Sequence, residues 1–396
     1  MSTPEPGDIA SAVDAQAEWM RDTRRHLHTH PEVGLHLPAT ADVVREVLTG
    51  LGLDIETDAA SSGISTRMPG TTGHTVVLRA DMDALPLTEH TDLDFASLNP
   101  GSMHACGHDM HTTMLLAAAR ALAAMPERHD VVFAFQAGEE FDRGALPLLE
   151  HRTLREVGQA RTFALHMHAQ RPVGTFHWRR GSFMGFGDWF RITITGASGH
   201  ASSPQLARSP IPAQAFLAER IDAITDLDAQ PWPTSVATVT ETRAGNSVNV
   251  IPDIATLRGT LRGRDEATII AVREQLATLC EEAEQRFAVT VELDLQIGYP
   301  AVINDAGVTD EGIGFVERLA ASNRMPSVAA VAMPEASMVI EDYSYFLQRW
   351  PGTMMYLGAQ VDGCTSFNHS ADVLFDEQAM TAGCAYLLEA ATAAPV

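Results

Sequence analysis

VVFAFQAGEE, residues 131–140, is an unbroken apolar run that ends in a pair of acids. Two other runs behave the same way. His74 to Leu78 leads into RADMDALP, and Phe163 to Leu165 leads into HMH. Helical segments separate them: residues 15–30, 38–52 and 109–125 repeat their apolar positions at helical spacing. Continuous apolar runs alternating with helices predict buried parallel strands joined by crossovers, with helices on both faces of the sheet. In such a sheet, ligands bind at the carboxyl ends of the strands. Here three successive strands end in Asp81 and Asp83, in Glu139 and Glu140, and in His166 and His168. One such acid is ordinarily a solvated turn residue. Three ends in a row on one edge point to a metal or proton-transfer site.

Between the first two ends lies MHACGHDMH, residues 103–111. Cys106 and His108 would point to different faces of a helix, but in an extended turn before the helix they point the same way and share a metal. Asp109 stands where a helix N-cap or a supporting carboxylate belongs. The adjacent acids Glu139 and Glu140 repel each other unless a cation is present. If Glu140 ligates and Glu139 stays free as a base, the pair has the division of labour of metal-assisted hydrolysis. His369, in SFNHSADVLFDE, reads by itself as a capping or surface histidine.

The texture changes near Asp188. Phe190, Ile192 and Ile194 alternate with polar residues, as do Val289 to Ile297, which predicts a sheet with one wet face. Between them fall a helix over 211–227, strands over 234–240 and 253–262, and a helix over 265–286. The order β-α-β-β-α-β predicts a ferredoxin-like α+β unit inserted into the larger α/β domain. The domains expected are therefore 1–187 with 299–396, and 188–298. Residues 341–350 read as a helix and 353–357 as a strand.

Composition narrows the chemistry. The 396 residues carry 51 acids against 27 bases, a net charge of −24, which argues against nucleic acid and against anionic membranes as partners. All 27 bases are arginine. Without lysine there is no Schiff base, no aldimine-held cofactor and no Gly-Lys-Ser/Thr phosphate loop. Four cysteines form no disulfide framework, no secretory signal opens the chain, and a cytoplasmic location is expected. No Gly-x-Ser-x-Gly elbow marks a serine hydrolase.

RRHLHTHPEVGLH, VVLRADMDALPLTE, MHACGHDMHTT, FQAGEE, LHMHAQRPVG, GASGHASSP, NVIPD, RGTLR, EDYSYFLQRWPG and FNHSADVLFDE, in order over residues 21–380, together resemble the dinuclear metallohydrolases related to aminoacylase and carboxypeptidase. The resemblance is closest to the amidohydrolase branch of hippurate and indole-3-acetyl-amino-acid hydrolases. It implies two divalent ions (Zn, Mn, Co or Ni) on Cys106, His108, Glu140, His166 and His369, with Cys106 bridging and Glu139 as general base. It implies that His200 stabilises the oxyanion, that Asn249 and Arg262 meet the substrate, and that the inserted domain is a lid and homodimer interface. The activity implied is cleavage of an N-acyl amino acid, with a dipeptidase, a carboxypeptidase or a non-catalytic metal-stabilised binding protein as the alternatives. His168 is a rival ligand to His166. Asn368 departs from the family pattern, which has an apolar residue before the last histidine.

Overall fold

The computed structural model describes residues 6–125, 127–140, 142–225, 233–322, 325 and 327–394. The chain divides into two compact units, one of Met1–Phe183, Ile303–Glu335 and Asp342–Val396, the other of Met184–Val302 and Ala336–Glu341. The strands of the two principal sheets, in chain order, are β1 (Ile55–Thr57), β2 (Ile64–Met68), β3 (Thr75–Asp81), β4 (Asp130–Gln136), β5 (Arg161–His168), β6 (Thr175–Trp178), β7 (Phe186–Thr195), β8 (Ser235–Ala244), β9 (Ile254–Gly263), β10 (Thr290–Tyr299), β11 (Ala329–Ala332) and β12 (Gly352–Gly358). The longer helices are α1 (Pro6–Asp14), α2 (Ala17–Thr29), α3 (Pro38–Gly50), α4 (His108–Ala123), α5 (Ile211–Asp222), α6 (Glu266–Phe287), α7 (Ala306–Ala321) and α8 (Ala379–Thr392).

In the larger unit the sheet order is β1-β2-β4-β3-β5-β12-β6-β11. The centre, β4-β3-β5-β12, is parallel, as the apolar runs predict, while β1, β2 and the β12–β6 pair are antiparallel. Both faces of β3 are buried. Val76, Leu78 and Ala80 join the core formed with α4 and α8, while Arg79 on the opposite face lies over the Tyr343 ring. Helix α4 is buried nearly all round: its second half is largely apolar, as burial requires, and its first turns bury His108, Asp109 and His111 among polar groups.

The helix expected over 341–350 is only Ser344–Leu347. Asp342 is fully buried and accepts hydrogen bonds from Gln136, Arg79 and the Ala145 amide, so its backbone is committed to a turn that presents this carboxylate. Pro351 follows closely at the other end.

In the smaller unit β8-β9-β7-β10 is fully antiparallel with α5 and α6 between its strands, the ferredoxin-like order. Phe190, Ile192, Ile194, Leu257 and Leu261 face the helices, and Arg191, Arg258 and Asp294 lie on the wet face. The Asp265 side chain caps α6 through the Thr268 amide. Helix α5 ends at Asp222, before the expected end; residues 226 and 227 lie outside the described residues. Among the described residues no helix is long and apolar enough to cross a membrane.

Candidate metal centre

The carboxyl ends of β4, β3 and β5 lie side by side because the three strands are adjacent and parallel. The Asp83 carboxylate fastens the loop beyond β4, accepting from the Glu139 amide at 3.0 Å and the Glu140 amide at 3.1 Å. The two acids are thus aimed by their backbone.

The Cys106 turn is set by Gly107, whose φ of 89° is left-handed and whose missing Cβ would stand 3.0 Å from that of Met167. Gly107, rather than Asp109, occupies the N-cap of α4. Asp109 sits two residues further on and turns its carboxylate inward, to Arg24 Nε at 2.9 Å and His28 Nδ1 at 2.7 Å. It ties α4 to α2.

Around the Cys106 sulfur the ends converge. His166 Nε2 is 3.4 Å from Sγ and His369 Nε2 is 3.2 Å from it. Glu140 Oε1 lies 3.3 Å from His369 Nε2 and 3.9 Å from His108 Nε2. Cys106, His108 and His166 form one set of atoms within 4.8 Å of one another, and Cys106, Glu140 and His369 form a second. The sets share only the sulfur. Two donors each 2.0–2.3 Å or so from a tetrahedral ion stand about 3.5 Å apart, so the spacings are those of two neighbouring coordination shells. Glu139, buried, falls within the same distance of His108 and Glu140.

The buried polar atoms favour a cation as well. Neither nitrogen of His108 makes a hydrogen bond, nor does Glu140 Oε1. Burial opposes a charged His369, yet the Cys106 sulfur and the Glu140 carboxylate outweigh it and raise its pKa to about 10. Burial likewise opposes charge on His108, and Asp81 and Cys106 overcome it to raise its pKa well above the ordinary value. In the metal-free chain, protons offset the negative charge that divalent cations would neutralise.

Two residues to which the sequence assigned no role, His111 and Asn368, brace the centre. His111 lies within ligand distance of Asp81 and His108, but both its nitrogens are in use. Nδ1 is 2.5 Å from Asp81 Oδ1, and Nε2 accepts from the Met167 amide at 2.7 Å. It braces β3 against the end of β5; its place one turn after His108 on α4 was the available signal. Asn368 joins three segments, donating to the carbonyls of Met167 (2.9 Å) and Cys106 (3.3 Å) and accepting from the Ala169 amide (3.1 Å). This holds His369, whose φ of 69° is left-handed. A polar residue at an otherwise apolar position was its signal. His168 faces the Tyr356 and Phe367 rings and belongs to no ligand set among the described residues.

The remaining candidates belong to the smaller unit. His200 is exposed, and its Nδ1 accepts from the Ser202 amide (3.2 Å) and is 2.8 Å from the Ser202 hydroxyl. The neutral ring therefore carries its proton on Nε2. Asn249 is adjacent, its carbonyl accepting from the Ala201 amide at 3.1 Å. Arg262 is elsewhere: it pairs with Gly187 on β7, whereas His200 follows Thr195 at the opposite end of that strand. Gly187 leaves the space its guanidinium fills, since a Cβ there would come within 2.9 Å of Nη1. That nitrogen donates to the Leu261 carbonyl at 2.9 Å.

The profile of peptidase family M20/M25/M40 matches residues 77–393. The chain is 32% identical over 378 residues to thermostable carboxypeptidase 1 of Saccharolobus solfataricus, covering 92% of this chain and 93% of that protein. It is 33% identical over 365 residues to the N-acetyldiaminopimelate deacetylase of Exiguobacterium sibiricum, covering 92% and 96%. A solved Bacillus subtilis structure, described as a dinuclear metal binding peptidase from the M20 family, superposes with a TM-score of 0.79 at 28% identity, over 95% of this chain and 98% of that one.

Proposed function

The chain belongs to peptidase family M20/M25/M40 and is a hydrolase of amide bonds, and we propose that its substrate is an N-acyl amino acid, cleaved to a carboxylic acid and a free amino acid. The observation that carries this reading is the pair of ligand sets meeting at Cys106 with Glu139 beside them. Cys106, His108, Glu140, His166 and His369 would hold two divalent ions (Zn, Mn, Co or Ni), which when bound polarise the scissile carbonyl and acidify the attacking water. Glu139 takes the proton from that water and delivers it to the leaving amine. Asp83, His111 and Asn368 keep these groups in place.

In the smaller unit, His200 offers its Nε2 proton to the oxyanion, and Asn249 and Arg262 meet the amino-acid half of the substrate, the arginine through its carboxylate. The register supports a homodimer in which His200 serves the neighbouring subunit. Arg262 and His200 flank opposite ends of β7, and the eight steps from Gly187 to Thr195 span about 26 Å. A small amide does not reach both in one chain. Among the described residues β8 and β10 each pair on one side only, leaving edges that a two-fold mate can extend. The four free thiols agree with a cytoplasmic enzyme.

A metal-replete screen of N-acyl amino acids beside free dipeptides tests the reading. Turnover of the acylated amino acids is expected. Cleavage of dipeptides alone would replace the reading with a dipeptidase or carboxypeptidase.

A further inference from the structure

Burying a cation is costly unless an opposite charge stands beside it. The fully buried arginines of the larger unit obey this: Arg24 faces Asp109, and Arg79 faces Asp81 and Asp342. Arg171, half-buried, does not. Among the described residues no carboxylate lies within ion-pair distance of it. Its Nη1 donates to His177 Nδ1 at 2.7 Å, and its Nε is buried with no hydrogen-bond partner.

His177 adds no negative charge. Its Nδ1 accepts from the arginine, so its proton is on Nε2, 2.9 Å from the Thr175 hydroxyl oxygen; that hydroxyl in turn donates to the Pro172 carbonyl at 2.6 Å. Burial and the neighbouring guanidinium push the His177 pKa down to about 4, so the ring is neutral. Desolvation also lowers the Arg171 pKa from its ordinary value. The chain supplies a hydrogen-bond acceptor to one corner of the guanidinium and leaves the edge made by Nε and Nη2 unmatched.

The place of this cation gives it meaning. His166, Tyr356 and His177 are register partners across β5, β12 and β6, so they lie in a row on one face of the sheet. The Tyr356 ring centre is 5.7 Å from that of His166, and the Arg171 guanidinium carbon is 5.7 Å from the Tyr356 ring centre. Two short steps therefore lead from the metal centre to an unpaired arginine.

We propose that Arg171 is an acyl-side specificity determinant, binding the free carboxylate of a short dicarboxylic acyl group, so that preferred substrates are N-succinyl- or N-glutaryl-type amino acids. This rests on the amidohydrolase reading above and names its acyl half. The guanidinium edge takes a carboxylate through two parallel hydrogen bonds, with the Tyr356 ring beside the acyl chain between the two ends.

The experiment compares metal-replete wild-type enzyme with Arg171→Leu and Arg171→Gln. Substrates are N-succinyl, N-glutaryl, N-acetyl and N-butyryl derivatives of one amino acid, and the N-acetyl amino-acid amide. The wild type is expected to favour a carboxylated acyl group over butyryl in kcat/KM. In either variant that ratio falls about 10–100-fold, mainly through KM, as the loss of a charge-assisted pair predicts. Thermal unfolding of metal-stripped protein gives a second readout. Succinate or glutarate raises the Tm of the wild type and not of either variant, with acetate and sodium chloride as controls.

A wild-type preference for butyryl, or an unchanged ratio in both variants, overturns the proposal. So does equal stabilisation by chloride, which would make this an inorganic anion site. If the variants instead equalise the N-acetyl amino acid and its amide, Arg171 reads the amino-acid carboxylate and the acyl assignment fails. Stabilisation by dicarboxylates without hydrolysis of any N-acyl amino acid would sink the amidohydrolase reading and leave the anion site standing.

Discussion

The candidate residues of the two units are held in opposite ways. In the larger unit Cys106, His108, Glu139 and His166 are buried, and each stands among groups that are themselves fixed: Asp83 on the acid pair, His111 between two strands, Asn368 across three segments. In the smaller unit His200 and Asn249 are exposed, and among the described residues their side chains bond only within their own loops, His200 to Ser202 and Asn249 to Ser247. The first arrangement is a preorganised centre that needs only its ions. The second is a pair of exposed polar side chains with free hydrogen-bonding capacity toward solvent. On the proposed reading, the difference separates residues expected to govern whether chemistry occurs from residues expected to govern how fast it runs.

The largest effect expected from breaking the buried side is that of Glu139→Gln. Losing a general base costs roughly 10²–10⁴-fold in kcat, while elemental analysis finds the metal content unchanged. Loss of metal in this variant would make Glu139 a ligand. On the exposed side, His200→Ala is expected to lower kcat about 10²–10³-fold, as removal of one oxyanion donor does. Dissociating and reassociating His200→Ala with Glu139→Gln restores part of the activity, because one site of a mixed dimer then has both groups. A mixture that stays inactive assigns His200 to its own subunit.

A smaller effect sharpens the picture of the supports. Asn368→Leu is expected to weaken metal binding about 10–100-fold in chelator competition, with the unfolding temperature of metal-free protein little changed. Unaltered affinity would show that the left-handed His369 is held without it.

The smallest effect concerns pH. Burial opposes a proton on His28, but the hydrogen bonds that its ring donates to the Asp109 and Glu89 carboxylates outweigh it and raise its pKa. A raised pKa gives stability that is fully present below the unfolded value of about 6.5 and is lost as pH rises through the folded value. The Tm deficit of metal-free His28→Gln, a few degrees or so, should be widest near pH 6 and shrink in alkali. A deficit that grows with pH would show that the imidazole is buried neutral.

The strand ends were legible because each puts its chemistry within a few residues of an unmistakable apolar run, as in VVFAFQAGEE. The inserted unit was legible because period-two alternation over Phe190 to Ile194 and Val289 to Ile297 has no other common meaning. The supports were not. Asn368 works through Cys106, Met167 and Ala169, and His111 through Asp81 and Met167, partners that only the folded chain makes neighbours. The strands β1, β6 and β11 are too short to carry a periodicity. The turn at Asp342 defeated the helical pattern of 341–350 because a buried carboxylate bonded to Gln136, Arg79 and the Ala145 amide outweighs local propensity. Arg171 was invisible for a different reason: an arginine is unpaired only with respect to what surrounds it.

β12, encoded by residues 352–358, lies in the middle of its sheet, between β5 and β6. A chain leaving the ribosome amino end first therefore has β3, β4 and β5 long before the strand that closes the gap, and His369 follows later still. Until those last residues emerge, β5 has an open edge and Cys106 lacks one of its neighbours. Closure over so long a separation is slow and exposes that edge to other chains meanwhile. A nascent or truncated polypeptide would hold three of the strand ends and two of the three members of the second ligand set, so the cluster around the Cys106 sulfur is assembled only once residue 369 has emerged.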